Sequence, residues 1–298
     1  RILGGKMFKK ILAIISTVTV LSFAGCGAQK NNNISKSSAE SEYSGMSVTY
    51  LNVGQGDSEL IQVNGINMLI DAGTNAGAND LVKDLKNRGI KTIDIAIATH
   101  PHEDHIGGMD EVLENFDVKS FYAPKVAHTT KTYENMLKAV KNEGLKIQQI
   151  KEGTKIDLGK DTEVQVYSPV KSQYEELNNY SPVMKISYGQ NSFMFTGDAE
   201  SLVEKEILNE NKDLKADVLK LGHHGSHSST SEQFLKAVDP SIAIVSCAKD
   251  NKYGHPHKET MSNLKKAGIT VYETFRDGDI TISSNGKKLD VKLHSENK

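Results

Sequence analysis

Alternating apolar and polar positions near the start of the folded region predict a set of short strands. Three such runs, residues 47–53, Glu59–Val63 and Ile66–Ile70, are separated by the glycine-containing segments Gly54-Gln55-Gly56 and Asn64-Gly65. A period of two is typical of strands with one buried face, and glycine segments of this kind favour tight turns. The pattern therefore predicts a meander of three strands.

The pattern changes to helical periodicity after residue 78, and strands and helices then alternate. Leu81, Val82 and Leu85 share one face of a predicted helix that ends at Gly89, and an apolar run over residues 93–98 predicts a buried strand. Further strands are predicted over residues 182–188, 192–196, 216–221, 241–247, 269–273, 280–283 and 289–293, and further helices over 200–209, 231–238 and 258–267. This mixture indicates an α/β fold whose layers pack around mixed sheets.

The N-terminal segment, residues 1–25, has the pattern of a leader peptide. A short basic start at Lys9-Lys10 precedes an apolar run over residues 11–23, which is too short for a membrane span of roughly 20 residues. The small residues before Cys26 resemble the lipobox of bacterial lipoproteins, although Phe23 departs from the usual aliphatic residue. We therefore expect export and a lipid anchor at Cys26 on the outer face of the bacterial cytoplasmic membrane, with simple secretion as the alternative.

The remaining sequence divides into a polar tether and one folded domain. Residues 26–46 are rich in Asn, Ser, Glu and Lys, so they bury too little apolar surface to order themselves and predict a flexible tether. Residues 47–298 form the predicted domain, which we expect to be a monomer. No apolar stretch of spanning length follows Phe23, so we expect no transmembrane channel within this sequence.

The charge balance limits the classes of partner. Residues 1–25 contain four basic residues and no acidic residue, which leaves 32 basic and 38 acidic residues in the remainder. The net charge of −6 on residues 26–298 argues against strong nonspecific binding to nucleic acid, because such binding normally needs a basic surface. A local basic groove remains compatible with this charge.

Eight of the ten histidines fall in three clusters, and each cluster follows a predicted strand. The clusters are His100, His102 and His105; His223, His224 and His227; and His255 and His257. Strand ends in layered α/β proteins commonly face a shared crevice, so we expect the clusters to meet there. His128 and His294 stand alone, and we interpret them as ordinary surface or packed residues.

The motif His100-x-His102-x-Asp104-His105 offers two ligands to each of two cations. Imidazole and carboxylate bind zinc, and they also suit manganese and iron. Asp198 follows another predicted strand and is a candidate bridging carboxylate, or alternatively an N-cap for the helix that begins near Glu200. His224 is a candidate terminal ligand. The sequence thus predicts a site for two divalent metal ions, Zn²⁺ or Mn²⁺.

Taken in order along the chain, Asp71, this histidine motif and Gly197-Asp198 resemble the signature set of the metallo-β-lactamase fold superfamily. The resemblance implies a four-layer αββα sandwich with two mixed sheets and a metal site at one edge between them. Finer motifs resemble the hydrolase-like domain of ComEC-type competence proteins, which take up DNA, here in a stand-alone lipoprotein form. Those motifs are residues 52–58, 220–226, 253–257 and 277–280.

The resemblance also implies roles at the metal site. The metal ligands that it implies are His100 and His102 for one ion, Asp104, His105 and His224 for the other, and Asp198 as a bridge. Asp71 supports the histidine motif from outside the ligand set. The superfamily commonly has a further histidine ligand where this chain has Asn178. We therefore expect Asn178 or water to complete the first site, with an exchangeable ion such as manganese or with only one metal bound.

The resemblance and the histidine excess place further residues near the substrate. We expect catalysis to involve Asp104, His255 and His257, and for the two histidines three roles stay open: binding a phosphate, orienting a ligand or acting as a general acid. His223 and His227 lie on the same predicted loops and are expected to support ligands or contact substrate. Lys220 and Lys252 are expected to add positive charge there.

Together these residues favour metal-dependent hydrolysis of a phosphoester or phosphodiester, with nucleic acid or a nucleotide as substrate. Three alternatives stay open: a lipid-anchored DNA-binding accessory module without turnover, a β-lactamase and a phosphorylcholine esterase. The number of metal-directed side chains argues against a pure binding protein. The histidine excess argues against a β-lactamase, for which a hydrophobic cleft is expected.

Overall fold

A computed structural model describes residues 45–210 and 212–294 of the chain. The expected leader, residues 1–25, lies outside the described residues, as do the expected lipidation site Cys26 and all but the last two residues of the tether expected over 26–46. The first strand begins at Met46, one residue before the expected start of the domain. Among the described helices, none is both long and apolar enough to cross a membrane.

The described part of the chain contains sixteen strands, eight α-helices and three short 3-10 helices. The strands are β1 (Met46–Tyr50), β2 (Glu59–Val63), β3 (Ile66–Ile70), β4 (Thr92–Ile93), β5 (Ile95–Ile97), β6 (Asp117–Val118), β7 (Phe121–Ala123), β8 (Ile147–Gln149), β9 (Thr162–Val166), β10 (Met184–Tyr188), β11 (Asn191–Phe195), β12 (Val218–Lys220), β13 (Ile242–Val245), β14 (Thr270–Glu273), β15 (Asp279–Ser284) and β16 (Leu289–His294). The α-helices are α1 (Ala78–Asn87), α2 (Glu103–Ile106), α3 (Met109–Asn115), α4 (Lys131–Asn142), α5 (Ser201–Asn209), α6 (Glu232–Val238), α7 (Lys258–Lys266) and α8 (Thr274–Asp277), and the 3-10 helices span Asn75–Gly77, Leu177–Tyr180 and Gly222–Gly225.

Two mixed sheets form the inner layers. The first sheet has eight strands in the order β16-β15-β1-β2-β3-β5-β7-β8, and the second has six in the order β14-β13-β12-β11-β10-β9. In each sheet an antiparallel part adjoins a parallel part: β2 and β3 are antiparallel while β3 and β5 are parallel, and β10 and β11 are antiparallel while β11 and β12 are parallel. The strands β4 and β6 form a separate short pair.

Three apolar cores hold the layers together. Tyr50 and Phe195, whose ring centres are 6.2 Å apart, belong to the core in which the inner faces of the two sheets meet. The buried faces of α1, α3 and α4 cover the outside of the first sheet, and those of α5, α6 and α7 cover the outside of the second. This order of helices, two sheets and helices confirms the predicted α/β class and its αββα sandwich.

The segments that carry the chemistry follow the C-terminal ends of neighbouring parallel strands. Asp71 follows β3 and the histidine motif follows β5 in the first sheet, while Asp198 follows β11, His223 follows β12 and the segment with His255 follows β13 in the second. Because β3 is parallel to β5, and β11, β12 and β13 are parallel neighbours, each set of segments leaves its sheet at one edge.

Close packing leaves no room for a Cβ atom at Gly107, directly after α2. Its φ of −59° and ψ of −40° are ordinary helical values, so the backbone conformation alone does not require glycine. A Cβ atom at this position would lie 2.1 Å from Asn75 N and 2.3 Å from Thr74 C. Gly107 therefore permits the close approach of the histidine motif to the loop after β3.

We expect Gly107→Ala to lower the free energy of unfolding by about 1–3 kcal/mol, because the added methyl group overpacks against backbone. Gly77→Ala is the matched control, since its φ is −88° and a Cβ atom there meets only Thr74 Oγ1 at 3.4 Å and Val53 O at 3.6 Å. Urea unfolding followed by circular dichroism measures both variants. Equal stabilities of the two variants would contradict the requirement for space at Gly107.

Candidate metal centre

His100 and His102 place two ring nitrogens close together after β5. His100 Nε2 lies 3.0 Å from His102 Nδ1, while His100 Nδ1 lies 3.1 Å from Thr99 Oγ1 and 3.3 Å from Ser181 Oγ. Burial lowers the pKa of both histidines, so at neutral pH each ring keeps a lone pair for a ligand. With Asp198 they form a group whose donor atoms all lie within 4.8 Å of one another.

A second group of donors lies beside the first. Asp104 and His105 lie on the short helix α2, and His224 belongs to the turn after β12. His224 Nε2 is 3.2 Å from Asp104 Oδ2, and one donor atom from each of the three residues lies within 4.8 Å of the others. The structure thus brings together all six expected ligands, in the two groups that the resemblance implied.

Asp198 lies between the two groups. Its Oδ2 is 3.2 Å from His105 Nε2 and 3.7 Å from His100 Nε2, and its Oδ1 is 3.7 Å from His224 Nε2. The alternative interpretation of Asp198 as an N-cap is wrong, because the N-cap residue of α5 is Glu200. A carboxylate from the second sheet therefore faces histidines from the first.

Asp71 holds His105 in orientation. It accepts hydrogen bonds from Thr99 N at 2.8 Å and from Thr99 Oγ1 at 2.6 Å, and its Oδ2 lies 2.7 Å from His105 Nδ1. With Nδ1 held by this carboxylate, His105 presents Nε2 to Asp198. Asp71 thus occupies the supporting position that the resemblance implied.

Buried charge dominates the electrostatics of the site. Although burial opposes ionisation, His105 and His224 hold the pKa of Asp198 well below its usual range. Burial also opposes protonation of His224, but Asp198 and Asp57 raise its pKa to about 10. Burial opposes protonation of His105 as well, but the negative charges of Asp198 and Asp71 raise its pKa well above the usual value. Protons on the two histidines therefore neutralise the carboxylates when no cation does so.

The donor set fits a divalent cation. His105 Nε2, His224 Nε2 and Asp198 Oδ1 are buried and have no well-aligned hydrogen-bond partner within the described residues. Buried polar atoms without partners are unfavourable, and a cation held among these atoms would satisfy all three. Imidazole and carboxylate together suit Zn²⁺ and Mn²⁺.

A buried ion pair between Asp57 and Lys220, which the sequence analysis missed, adjoins His224. Lys220 Nζ donates to Asp57 Oδ2 at 2.7 Å and to Leu221 O at 3.0 Å, and both charged side chains are only 1% exposed. Asp57 Oδ1 lies 3.2 Å from His224 Nδ1, which is also 2.9 Å from Ser246 O. The expectation that Lys220 faces the substrate is wrong, because its ammonium group is buried against Asp57.

Four further histidines form what we call the histidine rim: His223, His227, His255 and His257. His223 Nε2 lies 3.8 Å from Asp198 Oδ2, and the His255 ring centre is 5.3 Å from that of His223 and 6.0 Å from that of His224. Burial, followed by the neighbouring His224 and His223, lowers the pKa of His255 to about 4. The His255 ring is therefore neutral at pH 7.

Hydrogen bonding sets the tautomer of His257. Its Nδ1 accepts a hydrogen bond from the backbone N–H of His227 at 3.0 Å, so the proton of the neutral ring lies on Nε2. His227 Nδ1 also lies 3.0 Å from His257 Nδ1. His257 thus presents an N–H group that can donate to an anionic oxygen.

The two isolated histidines differ in their surroundings. His294 lies on β16, and its Nε2 is 3.2 Å from Thr281 Oγ1, in agreement with a packed residue outside the centre. The His128 ring lies 6.4 Å from that of His102, and its Nδ1 is 3.1 Å from Thr130 Oγ1. His128 is therefore nearer to the centre than its position in the sequence indicated.

The family model for the metallo-beta-lactamase superfamily matches residues 51–249, about two thirds of the chain. The chain belongs to this superfamily. The match covers the histidine motif, Asp71, Asp198 and His224, and the fold implies a metal-dependent hydrolase with divalent metal ions, commonly two.

Two relatives agree with the ComEC-like branch of the superfamily. The chain is 37% identical over 204 residues to ComE operon protein 3 of Bacillus subtilis, a match that covers 68% of this chain and 26% of that protein. It is 28% identical over 253 residues to Recombination protein 2 of Haemophilus influenzae, with 82% of this chain and 30% of that protein covered. The chain therefore spans less than a third of the length of either relative.

A solved structure shows the same fold. Igni18, described as a metallo hydrolase from the archaeon Ignicoccus hospitalis, matches with a TM-score of 0.53 and 16% sequence identity. The match covers 79% of this chain and 98% of that one. At this identity the likeness supports the metallo-β-lactamase fold alone.

Asn178 lies in the segment before β10, where the resemblance led us to expect a histidine ligand in other members of the superfamily. Asn178 Nδ2 lies 3.4 Å from His223 Nδ1, in the histidine rim, and 3.4 Å from Glu200 Oε1. The buried Oδ1 of Asn178 has no hydrogen-bond partner within the described residues. Ser181, which the sequence analysis did not single out, lies next to His100 and accepts a hydrogen bond from the backbone N–H of Asp198 at 3.1 Å.

We expect Lys220→Met to lower the free energy of unfolding by about 3–5 kcal/mol, because it removes the ammonium partner of the buried Asp57 carboxylate. Lys215→Met is the matched control, since Lys215 and Asp239 form an ion pair 3.9 Å apart whose side chains are 77% and 73% exposed. A change within about 0.5 kcal/mol is expected for the control. Denaturant unfolding measures both variants.

The pH dependence of this difference distinguishes lost charge pairing from lost packing. Although burial opposes ionisation, Lys220 and His224 lower the pKa of Asp57 to about 2. In the unfolded chain the pKa of an aspartate is about 4. The ionised Asp57 carboxylate therefore contributes its full stabilisation above about pH 4, and this contribution is lost as the pH falls towards 2. The destabilisation by Lys220→Met is expected to shrink over that range, and a constant difference would contradict the ion-pair explanation.

Proposed function

We propose that this chain is an exported, metal-dependent phosphodiesterase whose substrate is nucleic acid or a nucleotide. The observation that carries the proposal is the donor set around Asp198, which fits two cations and lies directly beside the histidine rim. A phosphodiester presents anionic oxygens, and both cations and imidazole N–H groups interact favourably with them. The name of one relative, Recombination protein 2, agrees with this substrate class.

The proposed ligands are His100 and His102 for one ion, Asp104, His105 and His224 for the other, and Asp198 as a bridge. Two divalent cations, Zn²⁺ or Mn²⁺, would supply Lewis acidity to a bound water molecule and positive charge to the phosphoryl oxygens. Asp71 and Asp57 keep the imidazoles of His105 and His224 turned towards Asp198.

The histidine rim binds the phosphate in this proposal. His257 donates its Nε2–H to a phosphate oxygen, because its Nδ1 is already occupied by the His227 N–H. His255 is better suited to contact with the substrate than to the role of general acid, since a pKa of about 4 leaves the ring unprotonated at pH 7. His223, next to Asp198, borders the metal centre and the rim.

Three alternative functions are compatible with the same site: a β-lactamase, a phosphorylcholine esterase and a DNA-binding module without turnover. The superfamily fold does not choose between them, because one fold supports many reactions. None of the three is better supported by the described residues than the phosphodiesterase, and activity assays separate them.

We expect Asp104→Asn to reduce hydrolysis of bis-p-nitrophenyl phosphate about a hundredfold or more, because it removes a proposed metal ligand. Glu103→Gln is the matched control from the same motif. The Glu103 carboxylate is exposed and accepts a hydrogen bond from Asn75 N at 2.7 Å, so near-normal turnover is expected. Initial rates with added Zn²⁺ or Mn²⁺ measure activity, and circular dichroism measures retention of the fold.

The same preparation tests the alternatives. Unchanged turnover in Asp104→Asn would show that the site is wrongly placed. Turnover of nitrocefin without phosphodiester hydrolysis would indicate a β-lactamase, and turnover of phosphorylcholine esters alone would indicate that esterase. Purified chain that takes up neither Zn²⁺ nor Mn²⁺, measured by elemental analysis, would leave only the binding module.

Export with a lipid anchor at Cys26 is the second part of the proposal, and it rests on the leader and lipobox pattern. We expect radiolabelled palmitate to label the unaltered chain in a bacterial host, and Cys26→Ser to abolish the label. Cys247→Ser is the control, because Cys247 is buried and should leave labelling unchanged. Equal labelling of the two variants would contradict the anchor, and unlabelled protein in the medium would support simple secretion.

A further inference from the structure

Tyr253 is an exposed aromatic side chain next to the metal centre. It is 50% exposed, and its ring stacks on that of His255, with ring centres 5.6 Å apart and an interplanar angle of 20°. The His255 ring in turn stacks on that of His224, at 6.0 Å and 29°. Two successive stacking contacts therefore connect a solvent-exposed ring to a proposed metal ligand.

The loop that carries Tyr253 is held in place before any ligand arrives. The Asn251 side chain donates to Ala248 O at 2.8 Å and to His255 O at 2.6 Å, and it accepts from Tyr253 N at 3.2 Å and His255 N at 3.0 Å. Four hydrogen bonds from one side chain thus fix the backbone on both sides of the exposed ring. A ligand that stacks there needs little further ordering of the loop.

A cation lies over the face of the exposed ring. Lys252 Nζ is 5.0 Å from the centre of the Tyr253 ring. An aromatic face combined with a nearby ammonium group is the pairing that proteins use for single-stranded nucleic acid, in which bases stack and phosphates pair with cations. A bare phosphate would not use the aromatic face in this way.

We propose that Tyr253, backed by His255, is a stacking site for a planar heteroaromatic ring, namely a nucleobase attached to the phosphate at the metal centre. The proposal rests on the phosphodiesterase function for its choice of ligand, and it narrows the substrate to one that carries bases. Because every base has an aromatic face, this site favours single-stranded nucleic acid or nucleotides without selecting a sequence.

Tryptophan fluorescence tests the proposal directly, because the chain contains no tryptophan. Tyr253→Trp introduces a single reporter in the full chain, and a stacked base is expected to quench its emission. Leu293→Trp is the matched control, since Leu293 is 43% exposed on β16, which three other strands separate from β3 in the first sheet. The probes are a thymidine oligonucleotide with phosphorothioate linkages, which resist hydrolysis, and an abasic strand of the same length and linkage, both with Mn²⁺.

The expected result is quenching of Tyr253→Trp by the base-bearing strand and not by the abasic strand, with neither strand affecting Leu293→Trp. Tyr253→Leu is expected to bind the base-bearing strand about tenfold more weakly than the unaltered chain, and Tyr253→Phe to retain binding. Equal affinity of Tyr253→Leu and the unaltered chain, equal quenching by both strands, or no binding of either strand would overturn the stacking site.

Hydrolysis of bis-p-nitrophenyl phosphate by the unaltered chain distinguishes failure of this inference from failure of the proposed function. A chain that hydrolyses this compound but shows no base-dependent quenching keeps the phosphodiesterase function and loses the stacking site. A chain that shows base-dependent quenching without hydrolysis keeps the stacking site and loses the phosphodiesterase function.

Discussion

The negative charge of four neighbouring aspartates, Asp57, Asp71, Asp104 and Asp198, is the constraint on which the rest of this structure depends. Three of them are fully buried, and an unpaired buried carboxylate destabilises a fold by several kcal/mol, so each needs a cation or hydrogen-bond donors. The sheet ends provide both: a lysine for Asp57, Thr99 for Asp71, and protonated imidazoles for the others. When divalent metal ions bind, the histidines can lose these protons to solvent, so one arrangement serves the metal-free and the metal-loaded chain.

Backbone contacts between loops make this arrangement rigid. Asp57 N donates to Asp104 O at 3.1 Å, Ala72 N donates to His105 O at 2.7 Å, and Gly107 N donates to Gly73 O at 2.8 Å. The turn of the histidine motif is therefore bound on one side by the loop after β1 and on the other by the loop after β3. Across the site, His223 and His224 both adopt left-handed conformations, with φ of 49° and 55°, which are strained for residues other than glycine. Such strain is typical of functional sites held by their surroundings.

The sequence predicted the layered fold from local patterns, and the resemblance to the superfamily implied the grouping of the donor side chains. Apolar alternation marks most strands, and the spacing of the histidine motif is visible in six residues. The strands β6, β7 and β8 have only two or three residues each, and β8 is exposed throughout, so they carry no readable alternation. The helix α4 was overlooked although Thr130 caps it and Met136 lies on its buried face. The pair of Asp57 and Lys220 joins residues 163 positions apart, and its only local sign was a lysine at the end of the buried strand β12.

The position of β1 in the first sheet has a consequence for how the chain reaches its native state. β1 pairs with β2 on one side and with β15 on the other, so that Met46 lies opposite both Val63 and Ser284. During synthesis, one edge of β1 stays open until more than two hundred later residues have been made. Contacts of such large sequence separation form slowly, and an open strand edge is a template for pairing with another chain. In newly made chains this edge is therefore open to pairing with another chain until the hairpin of β15 and β16 covers it.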